Sequence, residues 1–140
     1  MKYVFVNRRM NLPAMVCSLL LLSACATTVN TEALIQERAM ARWNALFSDD
    51  LAAAYEFLSP GYRSSVSLSQ YQRRIMTQRV AWTDAHYIES DCTETTCNVK
   101  INLNYALHGV LPGVKSFDGS QKINESWIRA SGNWYFVPQE

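Results

Sequence analysis

Histidine is nearly missing from this chain, with two in 140 residues, and only 18% of the residues are charged. Clustered histidine ligands are therefore not expected, and no concentrated basic surface is in sight. No run of about 20 apolar residues, the length a membrane-crossing helix needs, occurs anywhere. The phosphate-cradling glycine loop, the paired-histidine zinc helix and the serine elbow are all absent from the sequence. These absences leave no motif for a cofactor, a metal or a named reaction, and no cofactor is expected.

What is present begins with an address. Lys2, Arg8 and Arg9 precede an apolar stretch from Leu12 to Leu22, interrupted by Pro13 and Ser18. A positive region, a short apolar region and small residues at the end make the layout of a secretory signal. Without those three cations, residues 25–140 hold ten Lys and Arg against twelve Asp and Glu, a net of −2. A nucleic-acid binder needs the opposite balance to neutralise phosphates, so nucleic acid is excluded as a partner.

The stretch Leu22-Ser23-Ala24-Cys25 resembles the lipobox of bacterial lipoproteins. The resemblance implies cleavage before Cys25, a diacylglycerol on its sulfur and acylation, by palmitate for instance, of the new amino terminus. Several chains together hold a protein firmly to a bilayer, whereas one is marginal. Ala26 follows the cysteine, the pattern that in such lipoproteins implies the outer membrane and its periplasmic face. The expected organisation is a signal over 1–24, a lipidated tether over 25–30 and a domain over 31–140. The five residues from Ala26 to Asn30 span at most about 18 Å, so the domain works close to the membrane surface.

Of the four cysteines, Cys17 leaves with the signal and Cys25 is the anchor. Cys92 and Cys97 remain, an even pair in an exported chain, placed to flank a hairpin loop and expected to form a disulfide. Two cysteines without a nearby histidine supply only half a zinc shell.

From residue 31 the apolar period is helical. Ile35, Ala39, Trp43, Leu46 and Phe47 form a stripe opposed by Gln36, Arg38 and Arg42. Ser48-Asp49-Asp50 ends that helix and caps a second, Leu51 to Leu58, and Ser59-Pro60-Gly61 predicts a turn. Ser67 with Gln70 makes a capping box for a helix over 68–78. Beyond Val80 the period falls to two. Val99, Ile101, Leu103, Tyr105 and Leu107 alternate with polar or small residues, and 82–91 is the expected partner strand. A loop over Gly109–Gly119 and strands over 121–130 and 133–138 follow. Helices followed by an antiparallel meander predict an α+β fold, the helices covering one face of a curved antiparallel sheet.

The segments Arg42–Tyr62 and Ser126–Phe136 resemble the opening helices and the last, Trp-rich hairpin of nuclear transport factor 2-like domains. That resemblance implies a cone enclosing a pocket, a shape used by isomerases, by cyclases and by many binding domains. It carries over no catalytic residue.

Asp84 and His86 are the one pair with catalytic potential, because on a regular strand they share a face with Val80, Trp82 and Ile88. With a strand beginning later, near Ala85, both face solvent instead. Among the aromatics, Tyr55, Tyr105 and Trp127 are candidates to line a pocket. Val110, Leu111 and Val114 in the 109–119 loop offer a contact for a protein partner or for lipid. The expected function is a membrane-anchored periplasmic module that is non-catalytic and binds a small apolar ligand or a protein partner in envelope assembly. The alternative is a small isomerase- or cyclase-like enzyme using the cone pocket.

Overall fold

In the computed structural model, residues 30–78, 80–111 and 114–139 are described. The first helix, α1 (Thr31–Phe47), starts where the Asn30 side chain accepts a hydrogen bond from the Glu32 amide. Such a cap satisfies one of the four free amides at a helix start. Its buried residues are Ile35, Ala39, Arg42, Trp43 and Leu46. Helix α2 (Leu51–Glu56) is capped by Asp50, and α4 (Leu68–Met76) carries the Ser67–Gln70 capping box. Ser59-Pro60-Gly61 does not turn the chain into a loop. Ser59 caps a third helix, α3 (Pro60–Ser65), with Pro60 in its first turn, where the missing amide costs nothing.

Four strands follow: β1 (Val80–Cys92), β2 (Thr96–Leu111), β3 (Val114–Ala130) and β4 (Asn133–Val137). They form one antiparallel sheet in the order β1-β2-β3-β4. The α+β class is as expected: helices first, then a four-stranded antiparallel sheet. Ser131 and Gly132 both take positive φ and make the tight β3–β4 turn, the backbone a two-residue hairpin favours. The disulfide joins Cys92 to Cys97, which face each other in the β1–β2 register.

The expected loop over Gly109–Gly119 is instead mostly strand. Leu111 of β2 pairs with Val114 of β3, and the ladder continues inward through Leu107 and Phe117 to Tyr105 and Gly119. Gly119 looked like a breaker, but it sits within β3 beneath an aromatic ring. A Cβ built on it would lie 2.6 Å from the Tyr105 ring, so only glycine lets that ring lie flat across the strand. The side chains of Val110, Leu111 and Val114 lie outside the described residues.

The core lies between α1 and the inner sheet face, where Val99, Ile101, Leu103, Trp127 and Trp134 meet Ile35, Ala39 and Trp43. At the end of α2, Ser59 donates its amide to the Phe136 carbonyl and Phe136 donates back to Phe57, both at 2.8 Å. These two bonds stitch the helical layer to β4 through an isolated bridge between Leu58 and Phe136.

Candidate functional site

On β3 the inward positions are Ile123, Glu125 and Trp127, two apart, facing Ile101, Val99 and Cys97 of β2. Strand periodicity thus drives a carboxylate into the core, and Glu125 is only 3% exposed. Three donors meet it there. Arg42 Nη1 donates to Oε1 at 2.8 Å, Trp43 Nε1 to the same oxygen at 2.9 Å, and Trp127 Nε1 to Oε2 at 3.0 Å. Burial pushes the Glu125 carboxyl above its usual range, against the lowering effect of the Arg42 charge and the three hydrogen bonds. Arg42 is itself buried, its guanidinium 3.9 Å from the Phe136 ring centroid.

This cluster forms the polar end of a groove of about 490 Å³. Its walls are apolar. Trp43 and Trp82 meet edge to face with centroids 5.3 Å apart, and Leu103, Tyr105 and Ile123 line the sheet side. Gln121, Asn124 and Gln139 are exposed and bring polar groups to the lining. An apolar cleft with a few fixed polar groups is the usual form of a small-molecule site. With its donors engaged, Glu125 holds Arg42 and two indoles in place.

Of the three aromatics expected to line a pocket, Tyr105 does so. Trp127 is 1% exposed and instead orients Glu125 from within the core. Tyr55 lies among the helices, its hydroxyl donating to the Val66 carbonyl at 2.7 Å and so tying α2 to the chain leading into α4.

Asp84 and His86 are brought together but not into the groove. His86 Nε2 stands 2.8 Å from Asp84 Oδ2, with side chains 63% and 51% exposed. A bulge between Trp82 and Asp84 inserts Thr83 into the ladder, so Trp82 and Ala85 both turn inward although three residues apart. The same bulge sends Asp84 and His86 to the outer face, away from Trp82. The strand starts at Val80, and the bulge rather than a late start exposes the pair.

Two residues of the cluster escaped the sequence reading. Arg42 was placed on the polar face of α1, yet Ile35, Ala39, Arg42, Trp43 and Leu46 fall at i, i+4, i+7, i+8 and i+11, within the stripe. Glu125 lies between Ile123 and Trp127 at the buried phase of its strand. A charge at an apolar phase was the available signal in both cases. Among the described residues, no group of three or more His, Cys, Asp or Glu is placed to hold a metal.

No protein-family model matches the chain, and no curated protein does. Solved structures do match. A SEC-C motif containing protein from Rhodopseudomonas palustris, known from a solution structure, aligns at 16% identity with a TM-score of 0.57, covering 74% of this chain and 74% of that one. A crystal structure of another, from Psychrobacter arcticus, aligns at 10% identity with a TM-score of 0.50, covering 74% of this chain and 58% of that one. At such identities the likeness is one of fold.

These neighbours correct the family expected from the sequence, a bacterial outer-membrane lipoprotein with a nuclear transport factor 2-like cone. The fold is similar to that of these two SEC-C motif containing proteins and not to the expected cone. The physical reason is that amphipathic helices and a Gly-turned, Trp-rich hairpin meet a general need to bury one face of each element. Such segments mark layers, not families. The signal and anchor residues, including Cys17 and Cys25, lie outside the described residues. Among those described, no helix is long and apolar enough to cross a membrane.

Proposed function

We propose that this domain is a non-catalytic binding module that takes a small, largely apolar molecule into the groove between α1 and the sheet. The observation that carries this reading is the Trp43–Trp82–Tyr105 wall closed at one end by the Arg42–Glu125 cluster. A rigid apolar cleft with its internal charge already neutralised suits binding, since it keeps its shape without a ligand. The Asp84–His86 pair, the only catalytic pair the sequence offered, lies on the other face and argues against the isomerase- or cyclase-like alternative.

The place proposed for this activity is the periplasmic face of the outer membrane, with the domain held by acyl chains on Cys25. Support comes from the positive, apolar and small-residue pattern of the first 25 residues alone. A short tether there would present the groove to molecules leaving or entering the bilayer.

Titration with decanol, followed through tryptophan fluorescence, tests the binding reading directly because Trp43 and Trp82 line the groove. The full chain carrying Cys25→Ala serves as a protein without acyl chains of its own. Saturable spectral change that is lost in Trp82→Ala supports the groove, and no saturable change removes it. The anchor has its own check: wild type partitions with membranes and Cys25→Ala is released.

A further inference from the structure

Arg42 meets Glu125 through Nη1 alone. Its Nε is buried without a hydrogen-bond partner, and so is the hydroxyl of Tyr71. Buried donors left unmade are uncommon and costly, and each calls for an explanation. Both side chains are more than nine-tenths buried, Arg42 at 6% exposure and Tyr71 at 4%. Both also line a second cavity, of about 280 Å³, between α1, α4 and the end of β4.

Resting on the groove reading above, we propose that the ligand is an amphipathic carboxylate of the fatty-acid class, its headgroup seated in this second cavity on Arg42 and Tyr71.

Arg42, Trp82, Phe136 and Gln139 belong to the linings of both spaces, so the two adjoin. The groove takes the apolar body. The smaller cavity supplies the charge through Arg74, whose Nη1 is 3.2 Å from the Tyr62 hydroxyl, and among the described residues no carboxylate lines it. Two guanidinium groups, one of them also paired with Glu125, and two phenols around a space that no carboxylate lines among the described residues fit an anion. The Nε edge of a guanidinium is part of the planar fork that receives a carboxylate in two parallel bonds, a geometry lysine cannot offer. Burial raises the Tyr71 phenol above its usual range, against the lowering effect of the neighbouring Arg42 guanidinium, and keeps it protonated and able to donate. Gln78 and Gln139, both exposed, line the same cavity.

The experiment compares decanoate with decanol at neutral pH on the full chain carrying Cys25→Ala, in three forms: otherwise unchanged, with Tyr71→Phe, and with Arg74→Ala. A headgroup site predicts that decanoate binds about tenfold or more tighter than decanol, the gain expected of a charge-assisted hydrogen bond. It also predicts that Tyr71→Phe and Arg74→Ala each erode that preference while decanol affinity and the circular dichroism spectrum stay as they were. Tyr71→Phe removes a hydroxyl that has no partner in hydrogen-bond geometry, so a purely structural Tyr71 predicts an unchanged preference for decanoate, which would overturn the proposal. Equal affinity for the two ligands overturns the headgroup site and leaves the groove standing. Binding of neither ligand overturns both.

Discussion

Arg42 and Glu125, 83 residues apart in sequence, share a hydrogen bond of 2.8 Å with both side chains almost wholly buried. One sits on the first helix and the other on the third strand, so the pair exists only once the helical layer has docked on the sheet. Removing one partner leaves the other charged and unpaired in the core. Arg42→Ala and Glu125→Ala are each expected to destabilise the domain by about 3–5 kcal/mol. Glu125→Gln keeps one acceptor oxygen, enough for Arg42 and Trp43, which share Oε1, though it sets an amide NH2 against the Trp127 indole, and it is expected to cost less than Glu125→Ala. Urea denaturation of the three variants checks the order.

The same carboxyl sets a pH dependence. Burial raises the folded-state pKa of Glu125 above its ordinary value of 4.5, so the folded protein holds this proton at pH values where the unfolded chain has released it. Its contribution to stability is fully present below the ordinary value and is lost as pH rises through the raised one. Glu89 runs the other way: the hydrogen bond and charge of Lys100 lower its pKa below 4.5, and its contribution is lost as pH falls through that lowered value. Above 4.5, urea midpoints of the wild type are therefore expected to fall with rising pH relative to Glu125→Gln. Parallel curves for the two proteins would contradict the assignment.

Gly119 controls the placement of Tyr105. A methyl group at Gly119 would stand 2.6 Å from the ring, and the ring, at the end of its side chain, is what yields. Gly119→Ala is expected to swing Tyr105 out of the groove wall and weaken decanol binding severalfold, with a stability loss of at most about 1–3 kcal/mol. The coupling is testable. Gly119→Ala added to Tyr105→Ala should change binding far less than it does in the wild type.

The Cys92–Cys97 bridge closes a small ring at one end of the β1–β2 hairpin, with a sequence separation of five. So short a loop limits the entropy removed from the unfolded chain, and breaking the bridge is expected to cost about 2 kcal/mol. The Cys92→Ala/Cys97→Ala variant should unfold at lower urea yet bind decanol with wild-type affinity. The bridge lies beside Trp127 in the ladder and is not part of the groove lining.

Much of the fold was legible in local pattern, and the errors share a cause. Capping residues placed the starts of α2 and α4 because each cap is a contact within three residues, and the apolar period placed α1. The disulfide was legible because its two ends flank a turn. Gly119 and the Ser59-Pro60-Gly61 stretch misled because glycine and proline act according to surroundings: one lies under a ring, the other opens a helix. Asp84 and His86 misled because a single bulged residue reverses which side faces the core, and nothing in Trp82-Thr83-Asp84 announces it.

The sequence by itself determined what depends on neighbours along the chain: three capped or amphipathic segments, a period-two region and a closed cysteine hairpin. Only the tertiary structure decided the site. Arg42, Trp43, Trp82, Tyr105 and Glu125 come from α1, β1, β2 and β3, and the groove they form appears when those elements pack. The buried carboxylate shows why. Its cost of desolvation is offset only by donors more than eighty residues away and by one indole two residues along its own strand, and that balance exists only in the assembled domain.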